Sequence, residues 1–510
     1  MTLKTTIQKH LAHYNALKQA RVAWARTWKQ LSTYLSPTRG SFEGDQPSAG
    51  RPIDHKTLLD SSPALAVNVL GAGMMSGLTS PSRRWFNLTL RPSSFAKLPG
   101  VSQWLMEVQK AIESALAKSN LYNVLQQVYE ELSVFGTAAF LLEEDPRQGI
   151  FCRMFTAGEY VLDVDEKGRV NTFGHESFMS AEQMASAFGM AVLPPAVLQA
   201  FKNNNTQTRY KVIHLILPNA HYGVTQEKDN FFKFLSLYFM EDGTLLREGG
   251  YHEFPVICAR WETKTAADCY GRGPGWKCLG DVKMLQKMQK AKLVALDKNT
   301  NPPVMVSASV QGEVNLLPGG ITRCNSLTDA AIKPAYQVQT NLAELDQAIE
   351  QVRQTIRAHF LADVFMMLSE QEPANMTAAE VAERRQEKML LLGPVLQRLK
   401  TELLDPLIER TYCILCRQGV LPLPPDYLTG LDLHVEYIST IAQAQRASMI
   451  EPLMQGLHVA AQIAQANPAA SLQIDYDRML TEAMEGLGLQ QFLQPEDAYE
   501  FDKATKTHRE

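Results

Sequence analysis

The spacing of apolar positions writes out the first long element. From Ile7 to Leu35, Trp24, Trp28, Leu31 and Leu35 recur at intervals of four, three and four, the period of a helix with one buried stripe. Pro37 ends the run, because the residue before a proline is pushed out of helical geometry. A loop rich in Gly, Pro and Ser follows (Thr38 to Pro52), and then Leu65 to Leu78, apolar but studded with small residues, as in a helix packed closely on its neighbours. Helical periods return at Val101 to Ser119 and Asn123 to Val134. Between Thr137 and Trp261 the texture changes to short β-like runs (AAFLL, YVLDV, VIHLIL, FFKFLSLYF) separated by Gly, Pro and Asn, which predicts a mixed α+β region. Glu241-Asp242-Gly243 reads as its hairpin turn.

From Gly280 to Asn299 the pattern is helical again, with Met284, Met288, Ala291 and Ala295 on one stripe and Lys283, Lys287 and Lys290 on the next. Asn301, Pro302 and Pro303 end it, and short strands at Val304 to Ser307 and Val314 to Leu317, with a Pro318-Gly319-Gly320 turn, predict a small insertion. Asn341 and Glu344 then form a capping-box pattern for a helix carrying Leu342, Leu345, Ile349, Val352 and Ile356. The polar segment Ser369, Glu370, Gln371, Glu372, Pro373, Ala374, Asn375, Met376 is a loop, and Thr377 with Glu380 is a second capping box. The helix it opens is charged nearly all round at first and leucine-rich later, at Leu392, Leu396, Leu399, Leu403 and Leu407. Pro394 predicts a kink near Gly393. Ala- and Gln-rich helices fit Ile438 to Leu489.

Composition and charge narrow what such a chain does. Its 510 residues allow about three domains, or one large core with insertions. With 45% hydrophobic and 20% charged residues it is an ordinary folded chain, and 50 Lys+Arg against 54 Asp+Glu leaves no bulk positive field to grip nucleic acid. Seven scattered cysteines argue against a secreted disulfide framework, and the polar N-terminus against a signal peptide. The uncharged stretch Ser61 to Ser82 is too polar for a bilayer core.

Catalytic signatures are missing. The dipeptide Gly-Lys of a phosphate-cradling loop never occurs, nor do H-E-x-x-H and G-x-S-x-G. Gly71, Gly73, Ser76 and Gly77 miss the dinucleotide fingerprint by one position and read as close helix packing. His10 and His13 share a helix face without a carboxylate or cysteine nearby in sequence, a solvated face and not a metal site. The lone pair Cys413 and Cys416 reads as buried core thiols. The expectation is no enzyme, no metal and no cofactor, although a nuclease built from scattered carboxylates would leave no such signature.

Seven runs stand out in order along the chain: SGLTSPSRRWFNL (Ser76 to Leu88), LSVFGTAAFLLEED (Leu132 to Asp145), GGYHEFPVICARW (Gly249 to Trp261), YGRGPGWKCLGDVK (Tyr270 to Lys283), TIRAHFLADVFMML (Thr355 to Leu368), MTAAEVAERRQEKMLLLGPVLQRL (Met376 to Leu399) and VEYISTIAQAQR (Val435 to Arg446). Together they resemble the portal, or head-to-tail connector, proteins of short-tailed double-stranded DNA bacteriophages. The resemblance implies a mainly α fold with an α+β wing, in a ring of about twelve copies at one vertex of the phage head. Its parts would be a wing (1–275), a first stem helix (276–299), a clip (300–340), a second stem helix (341–368), a tunnel loop (369–376), a long wing helix (377–430), and a crown with the C-terminal tail (431–510).

Implied partners are terminase, transiently, then tail adaptor or nozzle proteins, capsid and scaffolding proteins, and double-stranded DNA held without sequence specificity. The resemblance also implies no membrane partner and a place at the virion's portal vertex, after assembly in the host cytoplasm. A channel must let a polyanion slide, so contacts should be weak and repeated. Lys283, Lys287 and Lys290 would then form stacked positive rings; alternatively they are a solvated outer face or pair with a neighbouring subunit's acids. The rival readings are another virion structural or tail-adaptor protein and, behind it, a packaging-associated nuclease.

Overall fold

The computed structural model describes residues 3–42, 58–90, 100–205, 207–220, 231–306, 310–311, 313–315, 321, 323–324, 332–335, 341–363, 365, 392–425 and 433–438. The apolar stripe of the first helix, α1 (Leu3–Leu35), is consumed in two places. Its C-terminal half lays Trp28, Leu31 and Leu35 into the main core, while Ile7 and Tyr14 cover a β-sheet. Helices α2 (Ser62–Leu78), α3 (Val101–Lys118) and α4 (Leu121–Val134) supply most of the remaining helical part of that core. Strand β1 (Phe86–Leu90) lies between α2 and α3 in sequence. The small residues of α2 do pack closely: a Cβ on Gly71 would come within 3.1 Å of Glu130 on α4.

Two antiparallel sheets follow. Strands β2 (Thr137–Asp145), β3 (Gly149–Phe155) and β9 (Val256–Arg260) form one in the order β3-β2-β9, with Leu141 opposite both Arg153 and Val256. Strand β2 is the central strand, and its first six residues are buried, as expected when both faces are covered. The second sheet is a meander of β4 (Tyr160–Val164), β5 (Val170–Ser180), β6 (Arg209–Pro218), β7 (Phe234–Met240) and β8 (Leu245–Tyr251). Alternation along β6 splits its faces. Ile213 and Leu215 meet α1, and Val212 meets the short helices α5 (Ala181–Phe188) and α6 (Pro195–Lys202). The predicted hairpin closes at Glu241-Asp242-Gly243, where Gly243 takes the positive φ of +81° that the turn requires.

From this body α7 (Pro274–Thr300) and α8 (Leu342–His359) run as a packed pair. Between them in sequence lie two short ribbons, β10 (Val304–Val306) with β13 (Ile332–Pro334) and β11 (Val310–Gln311) with β12 (Arg323–Cys324). The chain returns through α9 (Gly393–Leu399), a π-helical turn (Lys400–Leu404) and α10 (Asp405–Arg417), which bury Leu399, Leu403, Leu404 and Leu407. Strand β14 (Leu433–Tyr437) then pairs with β1, Leu88 opposite Val435.

Three expectations need correction, and a fourth, the kink at Pro394, is left at the edge of the described residues. The helix predicted from Gly280 starts at Pro274, because proline in a first helical turn forfeits no backbone bond. Residues 313–315 are irregular, and strands form at 310–311 and 323–324 instead. Pro394 sits in the first turn of α9, the expected kink near Gly393 falls at the edge of residues 366–391, which lie outside the described ones, and a separate irregularity follows six residues later as the π turn. Cys413 is only half-buried and Cys416 is exposed, so this pair is not in the core.

Candidate channel element and its anchors

The α7–α8 pair is the part of the described chain that extends from the body. At 1.5 Å per residue α7 is about 40 Å long, yet its buried positions (Pro274, Gly275, Cys278, Val282, Leu285, Gln286) all lie in its first half. Beyond Met288, Leu293 and Val294 are about half exposed. Helix α8 packs against α7 and α2 and buries Ile349 and Ile356, with Leu345 and Val352 partly buried, the stripe expected from the sequence. Lys292 and Asp346 form an ion pair across the two helices.

The root of α7 is fixed by backbone contact. Gly136, at φ +83° just after α4, and Gly273, just before α7, touch so closely that a Cβ on Gly136 would lie 2.3 Å from the Gly273 nitrogen. Only two glycines allow this approach. Trp276 adds a hydrogen bond from its indole N–H to the Phe135 carbonyl, 2.8 Å.

A second anchor is built around Asp60, which nothing in the sequence singled out. The Asp60 carboxylate, 3% exposed, accepts hydrogen bonds from the Ser62 hydroxyl (2.6 Å) and N–H (2.9 Å) at the start of α2. It also accepts from Gln289 of α7 (2.9 Å) and from Arg353 of α8 through Nε (3.0 Å) and Nη2 (2.8 Å). The Gln286 side chain completes the joint, accepting from the Leu59 and Asp60 N–H groups and donating to the Asp60 carbonyl. Burial alone would push the carboxyl up; the hydrogen bonds from Ser62, Gln289 and Arg353 outweigh it and hold the group down at about 2. One carboxylate thus ties three helices together.

The predicted site residues divide. Lys283 is half-buried and its ammonium donates to Oε1 of Gln30 on α1, 2.6 Å away. Lys287 and Lys290 are exposed, and no side-chain partner is found for them among the described residues. The stripe is therefore one tether and two open cations. Asn341 caps α8, its side-chain oxygen accepting from the Ala343 N–H (3.2 Å) and the Glu344 N–H (3.4 Å), while the return bond from the Glu344 side chain that would complete a capping box is not found among the described residues. Ser369 to Met376, and the Thr377–Glu380 cap, lie outside the described residues. The approach to them is visible: after α8, Leu361 adopts φ +52°, and Phe365 lies against α2 where a Cβ on Gly73 would be 2.2 Å from its ring. A β-free residue is needed at 73 to seat that ring.

Two further polar clusters stiffen the body. Buried Arg260 of β9 donates through Nε and Nη2 to Glu402 of the π turn (3.1 and 2.7 Å) and through its other N–H groups to the Asp268 and Gly168 carbonyls. In the meander, buried His214 contacts His175 (3.3 Å), accepts or donates at Ser236 (2.9 Å) and stacks on Tyr238. Burial lowers both histidines, His175 to about 4. Spatial partnership also reached His13, which meets Asp163 at 3.9 Å. Among the described residues no group of three His, Cys, Asp or Glu is placed to hold a metal, and no helix is long and apolar enough to cross a membrane.

Set beside known proteins, the chain has clear relatives. It is 36% identical over 484 residues to a probable portal protein of Bordetella phage BPP-1, covering 94% of this chain and 87% of that one. It is 36% identical over 485 residues to the portal protein of Salmonella phage epsilon15, covering 94% and 86%. Among solved structures, the neck of an empty gene transfer agent particle aligns at 10% identity and a TM-score of 0.39 over 77% of this chain and 86% of its own. Residues 8–493 match the family of bacteriophage head to tail connecting proteins, and the chain belongs to that family.

Proposed function

We propose that the chain is a phage portal subunit. About twelve copies close a ring at one vertex of the head, whose channel passes DNA inward under a terminase motor and outward at ejection. The observation that carries this reading is the α7–α8 pair, anchored at its root and ending in short β-ribbons, within a chain of the connector family. In this reading 1–275 and 377–430 are the wing, α7 and 341–368 the stem, 300–340 the clip that meets terminase and later tail proteins, and 431–510 the crown with the tail. The role is mechanical, and ATP chemistry belongs to the motor.

Lys287 and Lys290 then face the channel as weak, repeated cation rings, while Lys283 holds the stem to α1. Their field is screened beyond ~8 Å at physiological salt, which suits a surface that must not brake the duplex. Residues 369–376 form the loop ring around DNA. Deleting two residues of that loop in a phage should leave rings intact and impair packaging or retention. Normal phage yield from such a deletion would defeat the proposal.

A further inference from the structure

A cleft of about 600 Å³ opens between the β4–β5 turn (Lys167 to Val170), the segment after β9 (Thr263 to Ala266) and the π turn. Its floor is the Arg260–Glu402 pair, whose hydrogen bonds are already satisfied within the protein. Arg398 reaches the same carboxylate at 3.2 Å. At the rim Lys167 and Lys264 are exposed, and no partner is found for their ammonium groups among the described residues. Five cationic side chains (Lys167, Arg169, Arg260, Lys264, Arg398) thus line the cleft with Glu402; Arg260 and Arg398 are paired with that carboxylate and Arg169 with Asp165 at 2.9 Å, which leaves Lys167 and Lys264 as the cations open to a ligand. The walls between them are apolar, from Val170, Phe254, Val256 and Pro406. The π turn is what aims both Thr401 and Glu402 into this space, and such turns are enriched at functional sites.

A concave, partly apolar space of this size matches a few side chains and not a duplex, whose phosphates lie along a convex surface. An anionic peptide with aromatic residues fits it on charge and on shape. The chain contains one: Pro495 to Asp502 carries Glu496, Asp497, Glu500 and Asp502 with Tyr499 and Phe501 among them. Pro495 lies 57 residues beyond Ile438, the last described position. Even coiled as helix, that length reaches about 85 Å, enough for the same copy or a neighbour. We propose that the cleft between the β4–β5 turn and the π turn holds the acidic, aromatic stretch 495–502, as an intramolecular or copy-to-copy latch. The inference rests on the cleft and holds for whatever oligomer the chain forms.

The test uses the purified full-length assembly and one ending at Gln494, each titrated at low salt with a fluorescein-labelled peptide of residues 494–503. The peptide should bind the shortened assembly and bind full-length protein at least about tenfold more weakly, because the cleft is already filled. K167E/K264E in the shortened assembly should cost about tenfold or more, as removal of close charge pairs does. A peptide with its four acids changed to amides should also fail. Both lysines are exposed, so the native mass should be unchanged; if charge reversal disrupts assembly, K167Q/K264Q replaces it with the same expected direction. Equal peptide binding to the shortened assembly and its double variant overturns the proposal. So does absence of peptide binding, including the case where a short DNA duplex is the ligand whose affinity the variant loses.

Discussion

Changing Asp60 to Asn probes the joint on which the projecting helices depend. The amide keeps one oxygen for the Ser62 hydroxyl and N–H, but it sets an NH2 group or a neutral oxygen against Arg353 and Gln289. Removing one partner of a buried charge pair costs about 3–5 kcal/mol. Arg353 is a third exposed and regains water, which reduces the loss to about 2–3 kcal/mol. The depressed carboxyl gives an independent figure: a shift from 3.8 to about 2 corresponds to about 2 kcal/mol. Because the folded state holds the charged form, that contribution is complete above pH 4 and is lost as pH falls toward 2.

Amide hydrogen exchange reads this locally. If Asp60 clamps α8 (342–359) and α7 to α2, about 2 kcal/mol means exchange in α8 rising about 30-fold at pH 7. Strands β5 and β6, which contribute no side chain to the joint, should be unaffected. The difference between D60N and the native protein should shrink below pH 4. Unchanged protection of α7 and α8 in D60N would refute the reasoning, since the three-helix joint would then carry no energy.

Three further outcomes are expected. G136A places a Cβ 2.3 Å from the Gly273 nitrogen at a positive φ, so it should cost about 3 kcal/mol or more and lower the denaturant midpoint; an unaltered midpoint would mean the α4–α7 junction is slack. Lowering pH from 7 to 5 should weaken β5–β6: unfolded histidines take up protons near 6.5, whereas buried His175 resists until about 4 and faces Arg153 as well as Glu176. Stability therefore falls as pH drops, and exchange in the meander that stays flat over that range would contradict it. Changing Lys287 and Lys290 to Gln should leave assembly intact and alter packaged DNA length or its retention, whereas Lys283→Gln should chiefly loosen α7 from α1; unchanged packaging in the double variant would remove the channel role.

What could be read from the sequence was local. The Trp24–Leu35 and Leu342–Ile356 stripes, the Asn341 cap and the Glu241-Asp242-Gly243 turn all depend on residues within a few positions of each other, where helix and strand periods leave a clear trace. The joints were illegible for the opposite reason. Asp60 meets Gln286 and Arg353 across 226 and 293 positions, Arg260 meets Glu402 across 142, and Lys283 meets Gln30 across 253. A lone acid in a loop gives no hint of three helices converging on it. The lysine stripe shows both sides: periodicity put Lys283, Lys287 and Lys290 on one face, but only the packing of α1 distinguishes the tether from the two exposed cations. The π turn was likewise hidden, since Lys400–Leu404 contains no glycine or proline to mark it.

A portal subunit, as proposed, must close with its copies around a hole. Native mass spectrometry of the purified full-length protein, with negative-stain images of the same sample, tests it most directly. One dominant species of about twelve copies that appears as a ring with a central opening is expected; a stable monomer, or an assembly without a channel, would contradict the portal role.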